Sequence, residues 1–154
     1  MAVKNKFQAL VNGFTPSDSV LIAFSGGVDS TFLLYVIKNY TGARVSAVTV
    51  KTPYIPKWEV EEARSFCKSM DIPHTVIDIP LSRSFITNPH DRCYKCKSIL
   101  FDRIRNHAVE NSFNIVADGS NADDMNDYRP GMKALKELDI RSPLLESGFT
   151  KAEI

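Results

Sequence analysis

Residues 19 to 24, Ser-Val-Leu-Ile-Ala-Phe, form a short, nearly unbroken apolar run. That is the pattern of a strand buried on both faces of a parallel sheet. A glycine- and serine-rich stretch follows, and from Thr31 to Ile37 the apolar residues fall on one side of a helix. The same unit then repeats. Arg44 to Val50 predicts a second strand, and Lys57 to Met70 a helix with Ala63, Phe66, Cys67 and Met70 spaced along one face. His74 to Ile79 predicts a third strand, Lys95 to Asn111 a long helix, and Asn114 to Ala117 a fourth strand. Strands alternating with helices imply right-handed crossovers, and so an α/β fold with a doubly wound parallel sheet and helices on both faces. Ligands in such sheets bind at the carboxyl ends of the strands. Residues 25–30, 51–56 and 118–124 are therefore expected to converge on one cleft. The stretch from Pro80 to Tyr94 is long for a connector, which favours a functional segment.

Composition narrows the partners. The 154 residues are 44% hydrophobic and contain no Gly/Ser linker, so residues 1–154 read as one domain. With 19 basic and 18 acidic side chains the net charge is +1, which offers no electrostatic case for nucleic acid or an acidic membrane surface. No apolar stretch approaches the roughly 20 residues of a membrane span, and the N-terminus lacks a signal-peptide core. A cytoplasmic protein is expected. The three cysteines, two of them in Cys-x-x-Cys, point to metal or thiol chemistry and away from a disulfide framework. At the other end, Thr150-Lys-Ala-Glu-Ile154 reads as an N-cap and the start of a helix without a body. This predicts that the chain is part of something longer.

The glycine-serine stretch is Ser25-Gly-Gly-Val-Asp-Ser30. A helix N-terminus carries unpaired N–H groups and partial positive charge. Gly26 and Gly27 permit close backbone approach, and Ser25 and Ser30 add hydroxyl donors, so the loop suits a phosphate. A Walker A loop would place lysine where Asp29 stands, and an acid beside phosphates needs a metal or a capping role. The plain alternative is a tight turn with an ordinary cap. This motif resembles the signature of the PP-loop ATP pyrophosphatase superfamily, which implies an adenine nucleotide alpha hydrolase-like fold. It further implies cleavage of ATP between the α and β phosphates, with AMP and pyrophosphate as products. By that resemblance the loop grips the leaving pyrophosphate, Asp29 helps place Mg²⁺, and adenine lies against backbone around Ala23 and Val50.

A second chemical stretch runs from Ala117 to Gly131 and holds Asp118, Asp123, Asp124 and Asp127. Carboxylates at that density repel one another unless they cap turns, pair with Arg129 or hold a hard cation. A solvated turn is the plain alternative. Arg129, beside an aromatic and before an expected Pro-Gly turn, adds a planar donor for phosphate or carboxylate. Asp118 and Gly119 are candidates for nucleotide contact, and Asp124 for a share of the magnesium. Asp-Gly-Ser-Asn-Ala-Asp-Asp, Asp-Tyr-Arg-Pro-Gly, Arg141-Ser-Pro-Leu-Leu-Glu and Thr-Lys-Ala-Glu-Ile resemble the ATP-dependent sacrificial sulfur transferase (LarE) family over essentially the whole chain. The resemblance implies adenylation of a carboxylate of pyridinium biscarboxylic acid mononucleotide and its conversion to a thiocarboxylate, on the route to the nickel-pincer nucleotide cofactor. Lys97 and Arg129 would spread the charge developing at the α phosphorus, and the longer form is expected to be a homo-oligomer.

Cys93 and Cys96 begin the long helix among Arg92, Lys95 and Lys97, a setting that lowers thiol pKa. Two sulfurs leave a metal site incomplete. Half a zinc site, with His90 or His107 as further ligands, a redox pair, or partial ligation of an iron–sulfur cluster are all open. In one branch of the family resembled, a Cys-x-x-Cys and a later cysteine hold a [4Fe-4S] cluster; in the other, a single C-terminal cysteine gives up its sulfur. Neither later cysteine can be located in this chain. Cys67 reads as a core residue, His74 as structural, and Trp58 as cover for the sheet edge or a shield for a nucleotide. The rival functions are another PP-loop activity, such as tRNA thiolation or amide-forming synthesis, and a non-catalytic ATP-binding module. A module of that kind has little need of several metal-grade carboxylates.

Overall fold

The computed structural model describes residues 2–80, 92–126 and 130–154. Its helices are α1 (Val3–Asn12), α2 (Val28–Tyr40), α3 (Lys57–Ser69), α4 (Arg92–Glu110), α5 (Pro130–Glu137) and α6 (Pro143–Glu146). Its strands are β1 (Ser19–Ala23), β2 (Arg44–Lys51), β3 (His74–Asp78) and β4 (Ile115–Ala117). They form one sheet in the order β3-β2-β1-β4, and all three pairings are parallel.

Strands β1, β2 and β4 each serve two cores, which is why their sequences are apolar on alternate and intervening positions alike, while the edge strand β3 is only partly buried. Val20 and Ile22 of β1 join Leu33, Val36 and Ile37 of α2, Ala63 and Cys67 of α3, and Leu10 of α1 on one face. Leu21, between them, joins Val48 and Val116 with Phe101, Ile104 and Ala108 of α4 and Leu135 of α5 on the other. The expected Rossmann-like arrangement is therefore present. Among the described residues no helix is long and apolar enough to cross a membrane.

Several local details differ from expectation. α2 starts at Val28 rather than Thr31, because Gly27 already has the extended N-cap conformation and Thr31 donates the first helical bond to its carbonyl at 3.0 Å. The phosphate loop thus includes the first turn of the helix. Pro130 and Gly131 open α5 instead of making a turn; proline lacks the N–H that a first helical turn leaves unpaired anyway. Thr150 forms a capping box with Glu153, but the turn it opens is a three-residue 3-10 turn, Lys151–Glu153. Glu153 is held there by the Lys6 ammonium of α1 at 2.8 Å. Trp58, for which cover of the sheet edge and a shield for a nucleotide are both open, opens α3 at 60% exposure.

Beside β4 the sheet is continued by a single parallel bridge, Ala117 to Arg141. Arg141 donates its N–H to Val116 O and accepts from Asp118 N–H, both at 2.9 Å. Its guanidinium lies 4.9 Å from the Phe14 ring and 2.8 Å from Glu146. The Arg141-Ser-Pro-Leu-Leu-Glu stretch is therefore a buttress for the carboxyl end of β4.

Candidate active site

From β1 the chain winds through α2 to β2 and through α3 to β3, then passes by way of α4 to β4 on the opposite side of β1. The connections after β1 and β4 thus leave in opposite senses, and a crevice opens at their carboxyl ends. A cleft of about 480 Å³ occupies that position, within the range of small-molecule sites. Ala23, Ser25, Gly27, Asp29, Ser30, Val50, Lys97, Asp118, Gly119 and Asp124, all singled out from sequence, line it. Arg129 and Asp127 lie outside the described residues, and Gly26 and Cys96 are not among the lining residues.

The loop after β1 is built to leave its amides available. Gly26 has φ 87°, a conformation natural to glycine. Ser25 Oγ accepts the Gly27 N–H at 3.3 Å, and Ser30 Oγ donates to Gly27 O at 3.4 Å. The N–H groups of Val28, Asp29 and Ser30 belong to the turn that helix geometry leaves without internal partners, and all three residues line the cleft. Donor groups and helix dipole together make an anion seat.

Gly119 brings the second loop against this seat. A Cβ at Gly119 would stand 2.9 Å from Ser30 N, 3.1 Å from Ser30 Cα and 3.3 Å from the Asp29 carbonyl carbon. Only a residue without a side chain lets the two backbones touch. The contact is then locked through Asp29, whose Oδ2 accepts from Asn121 Nδ2 at 2.9 Å and Oδ1 from Lys151 Nζ at 2.8 Å.

The dense carboxylates hold the loop's own shape. Asp118, 6% exposed, accepts from the Ser142 hydroxyl at 2.6 Å and the Ser120 hydroxyl at 2.7 Å. Asp123 takes the Lys151 N–H and Asp124 the Asn121 N–H, at 2.9 and 2.8 Å. Asp123 and Asp124 thus cap backbone N–H groups, as does Asn121 Oδ1 for Asp123 at 2.9 Å, while Asp118 binds chiefly the two hydroxyls. Asp29 and Asp124 still have the chemistry for Mg²⁺: both line the cleft, both offer hard carboxylate oxygens, and each Asp29 oxygen with one donor keeps a second lone pair.

Next to the phosphate seat is an apolar wall of Ile55, Leu100, Phe101 and Ile104 with Val48 and Val50, suited to a flat heterocycle. Thr49 ties it to the loop. Its hydroxyl donates to Phe24 O at 2.7 Å, so the contact of 2.7 Å with His74 Nε2 has the imidazole N–H donating. His74 Nδ1 is buried without a partner among the described residues. Burial, followed by the charge of Arg64, holds the His74 pKa below its ordinary value. The residue is neutral and structural, as read.

The cysteines separate. Cys67 is fully buried in the α2–α3 core, and burial pushes its thiol pKa up to about 11. It lies across the sheet from α4 and is no third ligand for Cys93 and Cys96. His107 is eleven positions beyond Cys96 on α4, about 16 Å along the axis at the helical rise, so the zinc alternative with His107 fails on distance. His90 and the Cys93 side chain lie outside the described residues. Among the described residues no group of three or more His, Cys, Asp or Glu could hold a metal ion.

Lys151 and Asn121 were not read as site residues. Lys151 belongs to the expected helix start after Thr150 and to a motif of the family resembled, and nothing local in Thr-Lys-Ala-Glu announces an ion pair with Asp29. Leu100, Phe101 and Ile104 fall within the long helix predicted from Lys95 to Asn111 and carry no motif of their own.

The profile described as Queuosine biosynthesis protein QueC matches residues 19–113, more than half the chain. A protein of Synechocystis, described as uncharacterized, is 37% identical over 99% of this chain and 58% of its own. Pyridinium-3,5-bisthiocarboxylic acid mononucleotide synthase of Lactiplantibacillus plantarum is 32% identical over 97% of this chain and 55% of its own. The chain therefore spans between half and three-fifths of these relatives. Among solved structures, the tRNA thiolase NcsA of Methanococcus maripaludis with its [4Fe-4S] cluster superposes with TM-score 0.68 at 18% identity, over 98% of this chain and 59% of that one. The ammonia-dependent NAD synthetase of Campylobacter jejuni gives 0.63 at 16% identity, over 97% and 79%. These two share the fold. Fold, phosphate seat and profile make the chain a member of the PP-loop ATP pyrophosphatase superfamily. Within that superfamily its 32% identity to the L. plantarum synthase marks it as a homologue of LarE-type proteins.

Proposed function

We propose that residues 1–154 form an ATP-binding domain that carries out the adenylating half of ATP-dependent sulfur transfer. The observation that carries this reading is the juxtaposition at Gly119: an anion-binding helix start, an aspartate and two lysines, Lys97 and Lys151, all on one cleft beside an apolar wall. ATP would place its phosphates on residues 25–30 and its base against the wall around Ala23 and Val50. A substrate carboxylate oxygen attacks the α phosphorus, the bond to the bridging oxygen of pyrophosphate breaks, and an acyl adenylate and pyrophosphate result. The chain's part is positioning and charge. Loop amides hold the departing pyrophosphate, while Lys97, Arg129 and Lys151 balance negative charge that grows on the phosphoryl oxygens. Mg²⁺ held by Asp29 and Asp124 would neutralise phosphate charge as a Lewis acid.

The L. plantarum relative's name supports a pyridinium biscarboxylic acid mononucleotide as the acceptor, and hence a place in nickel-pincer cofactor assembly. Cys93 and Cys96 would supply two of the thiolates that a [4Fe-4S] cluster needs, and among the described residues no group of three or more metal-ligating side chains stands together. A tRNA acceptor is disfavoured by the balance of 19 basic and 18 acidic residues.

The test is acceptor-dependent release of pyrophosphate and AMP from ATP and Mg²⁺, with the pyridinium biscarboxylate mononucleotide, tRNA or no acceptor. Release with the mononucleotide alone is expected, and Lys151→Ala should reduce it by about tenfold or more. Binding of ATP without pyrophosphate release from it in the presence of any acceptor would leave a nucleotide-binding module instead.

A further inference from the structure

We propose that Gly131 of α5 is a positioning residue for Lys97, setting where the lysine ammonium stands in the cleft. This rests on the reading above, in which Lys97 acts on the phosphates. Gly131 is buried and has no positive φ, so its own conformation does not call for glycine. Space does. A Cβ at this position would stand 2.6 Å from Lys97 Cδ, 3.1 Å from Cε and 3.4 Å from Cγ. The methylene stem of Lys97 therefore runs across bare backbone of α5, and a stem held along most of its length has few rotamers left.

A second contact references α5 to the head of α4. Three positions before Lys97, the Tyr94 hydroxyl donates to Glu137 Oε2 at 2.5 Å, and the Lys133 ammonium lies 5.5 Å from the Tyr94 ring. Residues three apart share a helix face, so Tyr94 and Lys97 are fixed by the same neighbouring helix. Lys97 lines the cleft and Gly131 does not; Gly131 acts through Lys97. A methyl group at Gly131 would meet the middle of a flexible side chain, not backbone. Lys97 would yield by changing rotamer while the helices stay in place. Stability would survive and the position of the charge would not.

The test is Gly131→Ala, with Lys136→Ala on the exposed side of the same helix as control. Gly131→Ala is expected to keep Tm within about 2 °C of the parent and KM for ATP within about twofold. Its kcat for pyrophosphate release should fall by about tenfold to a hundredfold, while Lys136→Ala matches the parent. A second readout needs no turnover. After reductive ¹³C-dimethylation, the NMR resonance absent from Lys97→Arg identifies Lys97. ATP with Mg²⁺ should shift that resonance in the parent and much less in Gly131→Ala. An equal shift and equal kcat would overturn the proposal, as would a fall of many degrees in Tm with parallel loss of ATP binding, because the contact would then be core packing. If the parent releases no pyrophosphate with any acceptor, the adenylation reading fails by itself. The NMR comparison still decides the role of Gly131.

Discussion

At the scale of single residues, the two glycines that build the site do so for different reasons. Gly26 is needed for a left-handed backbone and Gly119 for room. The atoms a Gly119 side chain would meet are the backbone of Ser30, which cannot swing aside. Gly119→Ala should therefore cost about 1–3 kcal/mol in urea unfolding and weaken ATP binding, because the phosphate loop itself must move. The cysteines give a contrast that reagents can read. Cys67 is buried with its thiol pKa raised to about 11, whereas Cys96 is partly exposed and free. Ellman's reagent on the native protein should modify Cys96 and spare Cys67 until denaturant is added. Labelling of Cys67 at native conditions would contradict its place in the core. Both the glycine-serine loop at the start of a helix and the core role of Cys67 were legible from sequence. The first is a contiguous motif, and the second lies in a helical stripe where periodicity alone decides the face.

At the scale of elements, sequence periodicity located the four strands of the described residues to within a residue or two, because two-sided burial leaves apolar runs at β1, β2 and β4 and β-branched residues mark the edge strand β3. It located α2, α3 and α4 as well. The short α6 and two longer helices are not announced by that pattern. α1 has its apolar residues at Val3, Phe7, Leu10 and Val11, a helical spacing that the strand–helix search passed over. α5 was hidden by Pro130-Gly131, which favours a turn unless tertiary contacts pin it against another helix, as α4 does here. The connection from β4 to Ser142 shows how elements share polar groups. The Ser142 hydroxyl and Asp118 are both buried, and they bond across 24 positions of chain. Asp118→Ala would strand that hydroxyl and should cost about 1–3 kcal/mol, measured by chemical denaturation, with a loss of ATP binding as the loop relaxes away from Gly119.

At the scale of the whole molecule, stability should carry two pH signatures. Burial lowers the folded pKa of His74 from its ordinary 6.5. Below that value the unfolded chain takes up a proton that the folded one resists, so stability is full above about 6.5 and declines as pH falls beneath it. Glu153 is lowered from 4.5 to about 2, first by its bond from Lys6 and then by the Thr150 N–H. Its contribution is present above about 4.5 and is lost as pH falls toward about 2. Denaturation across a pH series should show both declines, with His74→Gln flattening the first and Glu153→Gln the second. Unchanged curves in the two variants would remove these groups from the account. By itself the sequence determined the alternation of strands and helices, the two-sided core and the glycine-serine loop at a helix start. Each depends on residues a few positions apart, where backbone period and local hydrogen bonding act directly. Tertiary structure decided the rest: Lys151 reaches Asp29 from 122 positions away, Gly119 earns its place only against Ser30, and the clustered aspartates became caps. Such pairings are chosen when packing closes the chain on itself, and no local pattern encodes which distant partner will be there.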